Sequence, residues 1–121
     1  MAYLIELPSH SDHRGNLTVI EREIPFQISR IFYIYGVDSS VRGGHRHHAT
    51  QQAAICINGS CEVFSTDGIT SQTFLLDHPN KCLVLQNVDW HTMQKFSKDA
   101  VLLVLASTLF DPMDYIYEPY Q

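Results

Sequence analysis

Short runs of apolar and alternating residues, broken at brief intervals by turn chemistry, run the length of the chain. Residues 17–21, 30–35, 52–57, 61–65, 73–76, 82–85 and 101–106 are rich in β-branched, aromatic and leucine side chains, the types that fit a pleated, half-buried surface. Between them stand Gly15-Asn16, Asp38-Ser39-Ser40, Asn58-Gly59, Asp67-Gly68, His78-Pro79-Asn80 and Ser97-Lys98-Asp99, all residues that form turns by supplying positive φ, a fixed φ or a local side-chain hydrogen bond. No long window keeps a helical period, and only 111–115 suggests a short helical turn. Asn58-Gly59 between apolar runs is the strongest local hairpin signal, because a type I′ turn needs positive φ at both central positions. It predicts that 54–57 pairs with 60–63. An N-terminal strand is expected over 3–7, on an edge. Many short strands in a chain of this size predict an all-β, antiparallel jelly-roll sandwich or barrel, formed as a single domain over 1–121.

Composition narrows the setting. With 121 residues, 45% of them hydrophobic and no polar or repetitive tract, the chain is one folded unit. A net charge of -5, with the Lys and Arg residues scattered, argues against nucleic-acid binding, which needs a basic stripe. No run approaches the roughly 18 apolar residues of a membrane span, and Met1-Ala2-Tyr3-Leu4-Ile5-Glu6 lacks the basic start of a signal peptide. A cytoplasmic protein that binds no membrane is therefore expected. Cys56, Cys61 and Cys82 are an odd set, read as free thiols in a reducing compartment. Cys56 and Cys61 flank Asn58-Gly59 symmetrically, so a cross-strand disulfide is geometrically conceivable but disfavoured in the cytosol.

The chemistry concentrates in His45-Arg46-His47, which follows Arg42-Gly43-Gly44. Imidazoles at i and i+2 of a strand lie on one face. Gly43 and Gly44 let backbone come close to a ligand. His91, after Trp90, begins another strand in the second half of the chain and returns to the same cavity in a barrel. His10, His13, His48 and His78 have no such setting and read as surface residues. Three converging histidines suit either a metal or proton transfer. A metal shell of the usual kind takes a glutamate a few residues after His-x-His. Here Gln51 and Gln52 stand there, and a neutral amide oxygen is a weaker ligand than a carboxylate, so no metal site is expected.

The ordered set Asp12-His13-Arg14-Gly15-Asn16-Leu17, the stretch 24–34, Arg42-Gly43-Gly44-His45-Arg46-His47, the stretch 56–61, Trp90-His91-Thr92-Met93, Val104-Leu105-Ala106-Ser107 and Asp114-Tyr115 resembles the dTDP-4-keto-6-deoxyglucose 3,4-ketoisomerases, small cupin enzymes that prepare nucleotide-linked 3-amino sugars for bacterial surface glycans. The resemblance implies a metal-free isomerase with no cofactor, acting on a dTDP-linked 4-keto-6-deoxyhexose, and a homodimer. It places the catalytic base on His45, with His47 relaying a proton on the oxygen side or orienting the sugar, and His91 as third member. Arg30 and Arg42 are the candidates for the pyrophosphate, since a guanidinium pairs bidentately with phosphate. Arg14 is a third candidate near the sugar, Trp90 a candidate to stack on thymine, and Gln52 a further substrate-binding candidate. Of Tyr33 and Tyr35, expected on alternate faces, only one looks into the barrel, and Tyr33 is taken as the contact. The chain departs from the family where Phe32-Tyr33 replaces two adjacent tyrosines and where Gln51 replaces Glu. A metal-dependent cupin enzyme and a non-catalytic nucleotide-sugar-binding cupin are the alternative readings. Whether C4 is reprotonated to the gluco or the galacto product is not set by the sequence.

Overall fold

Strand alternation here builds two apolar layers on one sheet. In the computed structural model, which describes residues 1–121, the strands are β1 (Tyr3–Glu6), β2 (Ser9–Asp12), β3 (Gly15–Thr18), β4 (Arg30–Tyr35), β5 (Arg42–His47), β6 (Gln52–Asn58), β7 (Cys61–Thr66), β8 (Ser71–Leu76), β9 (Lys81–Leu85), β10 (Trp90–Gln94), β11 (Val101–Ala106) and β12 (Tyr115–Ile116). They form two five-stranded antiparallel sheets, ordered β1-β9-β6-β11-β4 and β12-β5-β10-β7-β8, with β2 and β3 as a separate ribbon. This is the predicted all-β jelly-roll sandwich. The predicted turn near 111–115 is a 3₁₀ turn at Pro112–Asp114, whose first N–H groups are served by the Asp111 side chain bonding Met113 N at 3.0 Å. No helix is long and apolar enough to cross a membrane.

Between the sheets, Ala54, Cys56, Leu83, Leu85, Leu102 and Val104 meet Cys61, Val63, Phe74, Leu76 and Met93 in the main core. The outer face of the first sheet is also apolar. Ala53, Ile55, Cys82 and Leu105 lie there under Leu7 and Ile24, with Ile20 and Phe26 packed alongside. Burial on both faces explains why β6, β9 and β11 read as nearly continuous apolar runs.

Three expectations are corrected. The strand expected over 17–21 is shorter, ending at Thr18 and pairing with β2. Ile20 instead belongs to the cover of the first sheet, because burying its side chain satisfies it without a ladder. The hairpin of 54–57 with 60–63 does not form. β6 pairs with β9 and β11, whereas β7 pairs with β8 and β10, so Asn58-Gly59 carries the chain from one sheet to the other. Only Gly59 of the two has positive φ, at 71°, which rules out a type I′ turn. The local signal loses because both strands have a side that must face the interior, and the turn is held instead by the 97–99 loop. Asn58 Nδ2 donates to the Asp99 carbonyl at 2.8 Å and Ser60 N to Ser97 Oγ at 2.9 Å. Cys56 and Cys61 are free and buried, and the Cys56 thiol donates to the Asn58 carbonyl at 3.2 Å. Finally, Tyr33 and Tyr35 are two residues apart and so share a face. Both point outward from β4, 62% and 69% exposed, with their rings stacked at 5.8 Å.

Gly59 is fixed twice over, by its φ and by space. A Cβ there would meet Ser97 Oγ, Asp99 Oδ1 at 2.7 Å and the Ala100 Cα at 3.0 Å. Gly59→Ala is therefore expected to destabilise the protein by about 2 kcal/mol or more, read as a lower urea midpoint. An unchanged midpoint would show that the 97–100 loop moves away without cost.

Candidate active site

The site is built on the pairing of β5 with β10. His45 lies opposite His91 in that ladder, with a register shift immediately after it, so that Thr92 faces Gly43 and Met93 faces Arg42. The shift occurs where Gly43 and Gly44 have φ of 83° and 81°, a bulge that only glycine takes without strain. A Cβ on Gly43 would lie 2.9 Å from the His91 carbonyl oxygen. The glycines thus serve close backbone approach between strands. The shift has a second effect: Arg42, which in a regular strand would point away from His45, faces the same side as Met93 and His91.

Three imidazoles result, with the His45 ring edge-on to those of His47 and His91. The ring centroids of His45 lie 5.0 Å from His47 and 4.9 Å from His91, and His47 lies 6.5 Å from His91. His47 and His91 are buried, at 4% and 1% exposure. Each has one nitrogen anchored. His91 Nδ1 bonds the Asp89 carbonyl at 3.1 Å; a carbonyl only accepts, so Nδ1 carries the hydrogen and Nε2 the lone pair. His47 Nδ1 bonds Asp114 Oδ2 at 3.0 Å. Nε2 of both rings is buried without a protein partner, so one ring nitrogen of each is not engaged by the fold. No three His, Cys, Asp or Glu side chains converge as metal ligands would.

Burial sets the charge of the cluster. It pushes His45 down to about 4, with the neighbouring His47 adding to the effect, and His91 down to about 3. His47 is also lowered, chiefly by burial, with Asp114 opposing. All three rings are thus neutral near pH 7.

Of the other predicted residues, Arg30 joins this region. Its guanidinium lies over Phe32 at 4.6 Å and Phe110 at 5.2 Å, and it is close enough to His47 to disfavour that ring's protonation. Gln52 is buried on the interior-facing side of β6, and its carbonyl oxygen has no partner. Arg14 is not brought to the histidines within the chain. It sits at the tip of the β2–β3 ribbon with its guanidinium bonding Asp12 at 2.6 Å. Trp90 precedes His91 by one residue and so points to the opposite face of β10, where its Nε1 donates to the Tyr117 carbonyl at 3.1 Å. Tyr33 faces outward on the other sheet. Both placements follow from strand parity.

The sequence reading assigned no role to Tyr115, Tyr117 or Asp114. Tyr115, opposite His47 on β12, places its ring 4.7 Å from both His45 and His47, and Tyr117 lies 6.3 Å from His45. The Asp114-Tyr115 pair stood out in the motif set, but its meeting with β5 depends on a strand of only two residues, too short for periodicity to reveal.

A two-sheet antiparallel jelly roll with strand-borne histidines on its interior face is a small cupin. The FdtA family model, described as WxcM-like, C-terminal, matches residues 2–121, and the chain belongs to that family. It is 43% identical over 108 residues to the TDP-4-oxo-6-deoxy-alpha-D-glucose-3,4-oxoisomerase of Aneurinibacillus thermoaerophilus, covering 87% of this chain and 78% of that one. Among solved structures it is similar to a 3,4-ketoisomerase from Helicobacter canadensis, with TM-score 0.92 and 37% identity over 97% of this chain and 90% of that one. A mutant of the 3,4-ketoisomerase QdtA from Thermoanaerobacterium thermosaccharolyticum, in complex with TDP-4-keto-6-deoxyglucose, is similar with TM-score 0.93 and 36% identity, covering 97% of this chain and 87% of that one.

The shifts carry a sign that can be checked. Unfolded histidines take up protons as pH falls below about 6.5, whereas folded His45 and His91 do so only near 4 and 3. Acid therefore favours the unfolded chain, and stability is expected to fall between about pH 6.5 and 4. NMR titration should show no His45 or His91 midpoint above pH 5. A midpoint near 6.5 for either ring would mean that it is solvated rather than buried.

Proposed function

We propose that the protein is a nucleotide-sugar 3,4-ketoisomerase that converts dTDP-4-keto-6-deoxyglucose to a dTDP-3-keto-6-deoxyhexose, supplying 3-amino-sugar synthesis for bacterial surface glycans. The observation that carries this reading is the cluster of neutral imidazoles with unpartnered nitrogens. Moving a ketone from C4 to C3 transfers one proton between carbons and one between oxygens, and imidazoles that start neutral suit both. His45 removes the C3 proton, acidified by the adjacent carbonyl, and its imidazolium returns a proton to C4. His47 moves the O3 hydroxyl proton to O4, and His91 bounds the cluster on the β10 side. The relatives named above, which act on this class of sugar, support the assignment.

Arg30 and Arg42 bind the pyrophosphate and Gln52 the sugar, its free carbonyl oxygen accepting from a hydroxyl. The mechanism needs no cofactor and no metal. Turnover is accordingly expected to survive chelation and dialysis, and activity restored only by added Fe, Mn or Zn would replace this reading with that of a metal-dependent cupin. The three free cysteines are in keeping with a cytoplasmic enzyme.

A homodimer is part of the proposal. Strand β1 ends the first sheet and β4 its other edge, and the outer side of β4 exposes Ile31, Tyr33 and Tyr35 in a row. Light scattering after size exclusion is expected to give twice the chain mass; a monomer at micromolar concentration would refute it.

The central test is incubation with dTDP-4-keto-6-deoxyglucose in D₂O, followed by NMR. Deuterium should appear at C4 of the product, with its configuration read directly, and at C3 of recovered substrate. His45→Asn should cut turnover at least a hundredfold, within the range of a placed general base, while dTDP still binds. Binding without any C3 exchange by the wild-type protein would make it a sugar-binding cupin instead.

A further inference from the structure

Asp114 stands behind His47 in a setting more elaborate than an anchor for one ring requires. One oxygen, Oδ2, accepts from His47 Nδ1 at 3.0 Å, from the Thr50 amide at 3.3 Å and from the Thr50 hydroxyl. The other, Oδ1, accepts from the Ala49 amide at 2.8 Å. Thr50 is in turn bonded to Thr108 at 2.6 Å. Every donor in this group comes from the 47–50 corner where β5 turns into β6, or from the segment after β11. Burial works against the Asp114 carboxylate, but the bonds from Thr50, Ala49 and His47 outweigh it and keep the acid ionised.

His91 has nothing comparable. Its Nδ1 meets only a backbone carbonyl, which orients the ring without balancing a full positive charge. Two rings with similar free Nε2 atoms therefore differ in what happens once a proton arrives. An imidazolium at His47 forms a buried ion pair with Asp114, whereas one at His91 is held only by a neutral dipole.

Resting on the ketoisomerase reading, we propose that Asp114 is a positioning residue that selects His47 as the oxygen-side proton carrier, by fixing its Nδ1–H tautomer and stabilising the imidazolium formed when Nε2 takes the O3 proton. The balance is closed. The O3–H bond breaks as the Nε2–H bond forms, the electron pair left on O3 becomes the C3 carbonyl, and the Nε2 proton passes to O4. His45 independently carries the C3 proton to C4, so no oxidant or further acid is consumed. Asp114 itself touches no substrate and keeps its charge throughout.

The arrangement separates two measurable events. Removal of the C3 proton depends on His45, whereas completing the isomerisation also needs the oxygen-side transfer. Asp114→Asn keeps the shape of the side chain and removes its charge. Turnover is expected to fall about a hundredfold, the upper end of the loss when a metal-bound histidine loses its outer partner, while C3 deuterium incorporation in D₂O falls no more than a few-fold. Exchange per turnover should thus rise by more than tenfold. A variant in which exchange and turnover fall together, or in which turnover is unchanged, overturns the proposal.

A measurement on the wild-type protein guards against a variant that fails to fold. Long-range ¹H–¹⁵N spectra of the histidine rings should show His47 protonated at Nδ1 and bare at Nε2 near pH 7. An Nε2–H tautomer overturns the proposal whatever the variant does. If the wild-type protein lacks isomerase activity altogether, the functional reading fails, and the tautomer spectrum still reports separately on the Asp114–His47 pair.

Discussion

The close approach of β5 to β10 at Gly43 is the constraint on which the rest of the site depends. Because no side chain intervenes between Gly43 and the His91 carbonyl, the strands pair tightly enough to set His45 opposite His91. The accompanying bulge turns Arg42 to the same side. Desolvation follows from that proximity. Rings packed within 4.9 to 6.5 Å of one another leave little room for water, and imidazoles deprived of water stay neutral. The same backbone geometry therefore decides both where the histidines are and what charge they carry.

The two sheets divide the work. The first, apolar on both faces, supplies most of the buried aliphatic surface and holds it under Leu7 and Ile24. The second carries the functional polar groups on its interior side, near the end where β12 closes over β5. Placing buried polar groups in a sandwich is costly unless each is paired. Here Asp89 and Asp114 pair one nitrogen each of His91 and His47, and Nε2 of each ring has no protein partner.

Asp114 links this chemistry to the fold. Its hydrogen bonds reach Ala49 and Thr50 at the corner after β5, so one carboxylate both terminates β5 and backs the second histidine. The three rings are in consequence unequal: His45 is the least buried, His91 is oriented by a neutral carbonyl, and His47 alone faces a negative charge. The cluster is a set of unequal imidazoles rather than a symmetric cage.

Much of this was legible in the chain. The turn residues and β-rich runs specified an all-β sandwich, and His45 and His47 at i and i+2, with His91 beginning a later strand, specified the cluster, because side-chain parity along a strand is a local property. Tyr33 and Tyr35 share the outer face of β4, and Trp90 takes the face of β10 opposite His91. Asn58-Gly59 correctly marked a turn but not the partners of the strands it joins, since the choice between a hairpin and a crossing of sheets depends on which faces the whole core must bury. The sequence by itself determined the all-β character, most of the core strands and the histidine pair, all consequences of short-range sterics and period-two alternation, whereas the bulge at Gly43 and Gly44 emerged only from the pairing of β5 with β10. Tertiary structure alone decided that Asp114 backs His47, that Tyr115 covers His45 and that Arg14 stands apart, because those contacts join segments whose spacing in the chain carries no periodic signal and whose meeting is fixed only when the two sheets close on their shared core.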